Sequence, residues 1–218
     1  MVSLRVNRIH FPVTVLGPGR RIGIWLQGCS IGCVGCLSKD TWDTTGGQLI
    51  DPETLVDTCR RISGDVPDGI TISGGEPMDQ PEALLDLLDR LHVWRAALEV
   101  PFDILCYTGR SLGWARRRYS SILDRLDAVI AEPYLAGRPQ RHPLCGSDNQ
   151  SLTILSDLGR ERLLGYPDEL SPDRRAMQVA IESQRIWLIG MPRQGDLDAL
   201  EKMLHEQGVR LEHVSWRT

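Results

Sequence analysis

The chain has 218 residues, of which 41% are hydrophobic and 25% are charged, and its formal net charge is −4. This composition indicates a globular protein, because disordered chains have fewer apolar residues and a larger net charge. The acidic balance disfavours a nucleic-acid partner, which would be bound mainly through its phosphates.

Strand-like and helix-like segments then alternate along the chain. Residues 22–27 predict a buried strand, and Asp51–Pro52 predicts a helix start, because aspartate caps well and proline suits the first helical position. Residues 69–73 predict another strand, and the spacing of Asp79 and Glu82 predicts a capping box before the next helix. The remaining expected elements are a strand over 102–107, a helix over about 111–126, a strand over 128–131, a loop over about 133–150, a hairpin of 177–181 and 185–189, a helix ending near Gly208 and a strand over 209–214.

This order of elements predicts parallel βαβ units and therefore an α/β fold. We expect one domain over residues 1–218, with a core of about 7–155 and a C-terminal part, 156–218, that completes or covers it. No apolar run approaches the length of a membrane helix, about 18 residues, and no apolar signal core follows the first residues. We therefore expect a cytoplasmic protein that has no membrane partner.

Three of the six cysteines lie close together, as Cys29, Cys33 and Cys36 in a C-x3-C-x2-C run. In a reducing compartment, clustered thiols indicate metal or redox chemistry rather than disulfides. A closed zinc site would need a fourth ligand, and Cys145 or a histidine is available in the sequence. Three cysteines also suit a [4Fe-4S] cluster in which one iron keeps an open coordination position.

A second motif, Gly74-Gly75-Glu76-Pro77, follows the strand over 69–73. Paired glycines let backbone groups approach a ligand closely, and the Glu76 carboxylate suits an ammonium group. By itself the motif is an ordinary turn between a strand and a helix. Together with an open iron–sulfur loop, it indicates a site for an amino-acid-like cofactor. Valine at position 75 is expected to obstruct that cofactor and to leave the iron bound.

With these two motifs the chain resembles the radical S-adenosylmethionine superfamily, in which C-x3-C-x2-C holds a [4Fe-4S] cluster and GGEP holds the methionine amino group. It is most similar to the activating enzymes of glycyl radical enzymes, above all to the activating proteins of anaerobic ribonucleoside-triphosphate reductase. Leu37 and Asp148 depart from this subgroup, in which an aromatic residue and a serine are more usual. Four stretches carry the resemblance: residues 16–20, residues 27–36 with 41–42 after them, residues 107–109 and residues 146–150.

The resemblance implies a partial (β/α)6-type TIM barrel of roughly six parallel strands, with the cluster loop and the GGEP turn at the C-terminal edge of neighbouring strands. A one-electron donor such as flavodoxin or ferredoxin would reduce the cluster, which would cleave S-adenosylmethionine to methionine and a 5′-deoxyadenosyl radical. That radical would take a hydrogen atom from a glycine of a partner enzyme such as anaerobic ribonucleotide reductase. The implied cluster ligands are Cys29, Cys33 and Cys36, and the implied contacts of S-adenosylmethionine are Gly35, Leu37, Gly74, Gly75 and Glu76.

Two other functions stay open at this point. The same radical chemistry can act on a small molecule or peptide in a biosynthetic pathway, and the chain can be an iron–sulfur electron carrier without catalytic activity. The GGEP turn disfavours a carrier, which needs no amino-acid pocket. Cys59 and Cys106 are expected in the core. The sequence assigns no role to Cys145 or to residues 156–218, where the resemblance fades.

Overall fold

The computed structural model describes residues 2–64, 66–166, 177–182, 185–193, 195–212 and 214–215, and these form a mixed sheet with helices beside it. The strands are β1 (Leu4–Val13), β2 (Arg21–Leu26), β3 (Gln48–Ile50), β4 (Gly69–Gly74), β5 (Asp103–Tyr107), β6 (Ala128–Ala131), β7 (Ser151–Ile154), β8 (Met177–Glu182) and β9 (Arg185–Gly190). The helices are α1 (Pro52–Ser63), α2 (Pro81–Ala96), α3 (Leu112–Arg118), α4 (Ser120–Leu123), α5 (Asp157–Leu163) and α6 (Asp196–Glu206). No helix in these ranges is both long and apolar enough to span a membrane.

The main sheet has the strand order β3-β1-β2-β4-β5-β6-β7, and β8 pairs with β9 in a separate hairpin. The strands β2, β4, β5 and β6 are parallel to one another, whereas β1, β3 and β7 pair antiparallel at the two sides. The carboxyl ends of parallel strands meet at one edge of a sheet, where ligands of α/β proteins bind. Leu26 at the end of β2 is in register with Gly74 at the end of β4. This confirms the prediction that the loop with Cys29, Cys33 and Cys36 and the GGEP turn lie at the carboxyl edge of neighbouring strands.

The predicted α/β fold is confirmed, but the parallel part of the described sheet has four strands rather than six. A parallel neighbour requires a crossover connection of about a dozen residues or more, usually a helix. The short segment 14–20 between β1 and β2 is not such a crossover, and the loop between β6 and β7 contains no helix. Both connections therefore lead to antiparallel pairing.

Most predicted elements lie where the sequence placed them, including the C-terminal hairpin, whose turn at 183–184 lies outside the described residues. The helix expected over 111–126 is interrupted at Tyr119, whose backbone (φ −139°, ψ 45°) leaves the helical region. The predicted capping box is wrong, because Gln80 precedes α2 and the Asp79 carboxylate binds Ser30 instead. Within 209–212 and at 214 the structure has no strand. The sequence reasoning missed four elements: β1, β3, β7 and α5.

Two apolar clusters occupy the opposite faces of the sheet, because alternate side chains of a strand point to opposite sides. One cluster contains Ile24 and Ile72 together with residues of α1, α2 and α4, and we call this side of the sheet the helix face. The other side is called the hairpin face, and its cluster consists of Val13, Val15, Leu16, Trp25, Leu105, Tyr107, Ala128, Ile130, Leu144, Cys145, Leu163, Tyr166 and Ile189. Segments beyond residue 156 therefore cover the face that the helices α1, α2 and α4 leave open.

A buried ion pair joins the amino ends of the parallel strands. Arg21 at the start of β2 is 0% exposed and donates two hydrogen bonds to Asp103 at the start of β5, at 2.6 and 2.9 Å. Its Nε also donates to Thr71 Oγ1 in β4 at 2.7 Å. A buried charge is tolerated only when it is paired and hydrogen-bonded, and here one guanidinium links three neighbouring strands.

Replacing Asp103 by alanine is expected to destabilise the protein by about 3–5 kcal/mol, because the Arg21 charge would stay buried without its partner. Urea unfolding measured by circular dichroism gives the free energy. The matched control is Asp86→Ala, which removes an exposed helical pair with Arg90 (2.9 Å) and should have a small effect, since exposed pairs contribute little. Equal losses in the two variants would contradict the role assigned to the buried pair.

Candidate functional site

The three clustered cysteines lie in the loop that leaves β2 at the carboxyl edge of the sheet. Cys29, Cys33 and Cys36 are all free thiols of intermediate exposure. We call residues 28–37 the cysteine loop. Gly28 N donates to Thr41 O at 2.7 Å and Cys29 N donates to Trp42 O at 3.2 Å, so residues 41–42 hold the first two residues of this loop.

The thiols of the cysteine loop lie close enough to influence one another. Burial raises the pKa of Cys29 and of Cys33, and the neighbouring Cys36 thiolate raises both further. The Glu76 carboxylate also raises the pKa of Cys29, while a backbone hydrogen bond from Tyr134 lowers that of Cys33. Such mutual repulsion is relieved when the thiolates bind a cation, so the donor set fits a metal centre.

Among the described residues, no three His, Cys, Asp or Glu side chains form a group compact enough to hold one metal ion. A four-iron cluster does not require such a group, because each cysteine binds a different iron. Cys145, the possible fourth ligand of a zinc site, is buried in the hairpin-face cluster, where its Sγ lies 3.8 Å from His142 Nδ1. Cys59 and Cys106 are in the helix-face core, as the sequence predicts.

The GGEP turn (Gly74–Pro77) contacts the cysteine loop directly through backbone atoms. Glu76 N donates to Gly28 O at 2.9 Å, and Gly75 N donates to Leu26 O at 2.8 Å. A Cβ on Gly75 would lie only 2.0 Å from Gly28 O, so glycine is required here for the approach of the cysteine loop. This changes the expectation for Gly75→Val, because a side chain at position 75 would displace the residue before Cys29 and not only the cofactor.

The Glu76 side chain is turned into the protein and is 1% exposed. Its carboxylate accepts hydrogen bonds from Met78 N (2.9 Å), Thr108 Oγ1 (2.8 Å) and Gly109 N (2.8 Å). Burial raises its pKa, and these three hydrogen bonds oppose the shift. The carboxylate thus joins the ends of β4 and β5, and these contacts do not support its expected role as an acceptor for an ammonium group. The partly exposed surface that the turn offers to a ligand belongs to Gly74 and Gly75.

The other two residues expected near the cofactor flank Cys36. Gly35 is exposed, has φ +77°, and a Cβ there would lie 2.8 Å from Ala136 Cβ, so the loop after β6 packs against it. Leu37 is partly buried and its carbonyl accepts a hydrogen bond from Ser215 Oγ at 2.7 Å. The C-terminal part of the chain therefore reaches the cysteine loop.

A polar network that the sequence reasoning missed holds the first turn of the cysteine loop. Ser30 donates its N–H and its hydroxyl to the two carboxylate oxygens of Asp79, both at 2.8 Å. Arg110 donates to Ser30 Oγ at 2.6 Å and to Asp79 at 3.0 Å. In the sequence, the position of Arg110 directly after the family-like stretch 107–109 is the one feature that could have indicated a role at the site.

The structure explains why position 148 is an aspartate, where a serine is more usual in the subgroup that the chain resembles. Its carboxylate pairs with Arg138 and Arg141, and Asn149 Nδ2 donates to Pro133 O at 2.8 Å. These contacts close the long loop between β6 and β7, which carries Tyr134 and Ala136 to the cysteine loop. An aspartate at position 148 suits two arginines better than a serine would, since it is charged.

Comparison with known proteins gives consistent results. The family described as 4Fe-4S single cluster domain matches residues 15–153. The anaerobic ribonucleoside-triphosphate reductase-activating protein of Enterobacteria phage T4 is 28% identical over 154 residues, which are 71% of this chain and 96% of that protein. The protein of the same name from Salmonella typhimurium is 30% identical over 131 residues, 56% of this chain and 79% of that protein. The pyruvate formate-lyase-activating enzyme of Clostridium pasteurianum is 38% identical over 138 residues, 61% of this chain, and the chain spans 53% of that enzyme.

The raised pKa values of Cys29 and Cys33 predict slower alkylation of the iron-free protein at pH 7 than for an ordinary thiol, and a rate that still increases above pH 9.0, because only the thiolate reacts. Iodoacetamide labelling followed by peptide mass spectrometry measures each rate. Cys59 and Cys145, whose pKa values burial raises to about 12, are the controls and should react only when the chain unfolds. Labelling of Cys29 at pH 7 as fast as in the unfolded chain would contradict this assignment.

Gly75→Ala is expected to lower the iron content of anaerobically reconstituted protein by more than about half, since its Cβ would strike Gly28 O and shift the loop that carries Cys29. Iron and sulfide analysis provides the measurement. Gly113→Ala is the matched control, because a Cβ in that exposed helical position lies 3.5 Å from its nearest neighbour. Full iron content in Gly75→Ala would show that the close approach does not support the loop.

Proposed function

The chain belongs to the family of 4Fe-4S single cluster domains, among the glycyl-radical-enzyme activating enzymes of the radical S-adenosylmethionine superfamily, and on that premise we propose that it is an oxidoreductase that generates a glycyl radical on a partner such as anaerobic ribonucleotide reductase. The observation that carries this proposal is the direct backbone contact between the cysteine loop and the GGEP turn, with Glu76 N 2.9 Å from Gly28 O. This contact brings a three-thiol donor set beside a glycine-lined turn.

The bound groups supply the chemistry. A [4Fe-4S] cluster and S-adenosylmethionine, when bound, would supply one-electron reductive cleavage of the cofactor to methionine and a 5′-deoxyadenosyl radical able to take a hydrogen atom from the partner's glycine. We assign Cys29, Cys33 and Cys36 as the residues that would hold the cluster.

The residues of this chain bind and orient these groups. We assign the backbone of Gly74, Gly75 and Glu76 to the methionine end, supported by the partial exposure of both glycines. Gly35 and Leu37 are assigned to the adenosine end, because they flank the ligand Cys36. The Glu76 carboxylate acts from beneath the turn by holding Thr108 and Gly109.

We assign the sheet to the partial barrel of this superfamily. Its support is that three neighbouring parallel strands, β2, β4 and β5, carry the candidate site at one carboxyl edge, as in barrel active sites. We place residues 156–218 in the same domain as the core of about 7–155, because Leu163 and Ile189 pack with Trp25 and Tyr107 in one cluster.

The electron donor is proposed to be a one-electron carrier such as flavodoxin or ferredoxin. Val34, between two of the cysteines, is 84% exposed, so a donor can approach this side of the loop from solvent. We place the protein in the cytoplasm, because partly exposed clustered thiols persist in a reducing compartment.

Reduced protein with S-adenosylmethionine is expected to release 5′-deoxyadenosine, measured by chromatography under anaerobic conditions. With a co-encoded glycyl radical enzyme it should also produce a glycine-centred radical, which electron paramagnetic resonance detects. Cys33→Ala should abolish both signals because it removes a cluster ligand, whereas Cys59→Ala, in the core, should retain them. Release of deoxyadenosine driven by a small metabolite, with no radical on any co-encoded glycyl radical protein, would favour the small-molecule alternative.

A further inference from the structure

Asp79 and Arg110 form an ion pair against the first turn of the cysteine loop. Asp79 follows the GGEP turn by two residues, and Arg110 directly follows the stretch 107–109. Arg110 Nη2 donates to Asp79 Oδ1 at 3.0 Å, and the Asp79 and Arg110 side chains are 25% and 29% exposed. Ion pairs near the surface contribute little to stability, so the position of these two charges is more informative than their contact.

The Asp79 carboxylate reaches the backbone of the cysteine loop. Asp79 Oδ2 accepts from Ser30 N at 2.8 Å, and Asp79 Oδ1 accepts from Ser30 Oγ at 2.8 Å. Because Ser30 N is bonded to the carbonyl carbon of Cys29, covalent geometry places Asp79 Oδ2 within about 6 Å of the Cys29 Cα. A negative charge therefore lies beside the first of the three cysteines assigned to the cluster.

The Arg110 guanidinium is fixed on the other side of the same carboxylate. It donates to Ser30 Oγ at 2.6 Å and lies over the Trp114 ring at 4.8 Å. The backbone N–H of Arg110 donates to Thr108 Oγ1 at 3.0 Å. Arg110 thus contacts only the end of the Ser30 side chain, whereas Asp79 also contacts its backbone. The negative charge of the pair is the one held directly against the loop.

Hydrogen bonds to the thiols act in the opposite direction to this negative charge. Backbone N–H groups donate to all three thiols, those of Ile31 and Gly32 to Cys29, that of Tyr134 to Cys33 and that of Ser38 to Cys36 at 3.4 Å. Donors to the sulfur ligands favour the reduced form of an iron–sulfur cluster and raise its reduction potential. The Ser30 N–H, which is the next along the chain after Cys29, donates to the Asp79 carboxylate instead.

We propose that Asp79 is a positioning residue that lowers the reduction potential of the cluster held by the cysteine loop, with Arg110 as its counter-charge. This inference rests on the proposed function. Reduction adds one electron, supplied by the one-electron donor, so a fixed negative charge disfavours it and a fixed positive charge favours it. A lower potential makes the reduced cluster a stronger donor of that electron to the sulfonium of S-adenosylmethionine, which the proposed reaction needs.

The test measures the midpoint potential of anaerobically reconstituted protein without S-adenosylmethionine. Titration with titanium(III) citrate is followed by electron paramagnetic resonance of the reduced cluster. We expect Asp79→Asn to raise the potential and Arg110→Gln to lower it, each by about tenfold in the equilibrium constant of reduction, which is about 59 mV for one electron. Asp79→Glu and Arg110→Lys, which keep the charges, should stay close to the original potential.

Opposite shifts distinguish charge from structural support. Asp79→Asn and Arg110→Gln both remove contacts with Ser30, so loosening of the loop alone would shift the potential in the same direction in both variants. The matched control is Asp89→Asn, which removes the same charge from a pair with Arg125, five residues before the end of the turn that leads to β6 at the amino edge of the sheet. This control should leave the potential unchanged, and iron content should equal that of the original protein.

Any result other than opposite shifts, with full iron content in Asp79→Asn and Arg110→Gln, overturns the inference and leaves the proposed function standing. If Asp79→Asn does not hold iron, Arg110→Gln decides alone, since a lowered potential supports the inference and an unchanged or raised one overturns it. If the original protein holds a cluster but releases no deoxyadenosine from S-adenosylmethionine, the proposed function fails, whatever the potentials of the variants are.

Discussion

The backbone contact between the GGEP turn and the cysteine loop is the constraint on which the candidate site depends. Gly28 O accepts from Glu76 N at 2.9 Å, and the space that a Cβ at position 75 would need is already occupied by that carbonyl. The thiols and the GGEP turn therefore cannot be positioned independently. A cluster and a cofactor that react with each other have to be bound side by side, and this contact keeps the two segments proposed to bind them adjacent.

The two ends of the parallel strands are held together by different kinds of polar interaction. At the amino ends, Arg21 and Asp103 form an ion pair that is excluded from solvent. At the carboxyl ends, the buried Glu76 carboxylate joins β4 to Thr108 and Gly109 after β5. Both use a charge that is costly to bury, so each specifies its partners strictly. The site edge is thus held by buried hydrogen bonds of Glu76, while the cysteines of the loop are partly exposed.

The segments beyond residue 156 cover the second face of the sheet. Leu163 and Ile189 complete an apolar cluster on the face without the helices α1, α2 and α4, and Ser215 reaches the carbonyl of Leu37. Together with the helices on the other side, these segments bury both faces of the sheet and leave the cysteine loop partly exposed at its carboxyl edge.

The sequence by itself determined the motifs and most of the elements, because cysteine spacing, paired glycines and hydrophobic alternation are local properties of the chain. It identified the strands that precede Cys29 and Gly74, the loop over 133–150 and the C-terminal hairpin. It did not show that β1 and β7 pair antiparallel, because pairing depends on how the connections between distant strands run. Only the tertiary structure decided the orientation of Glu76, which a sequence motif presents as a free acceptor. Its carboxylate is buried against Thr108 and Gly109, residues distant along the chain, and hydrogen bonds to them offset the cost of burying it.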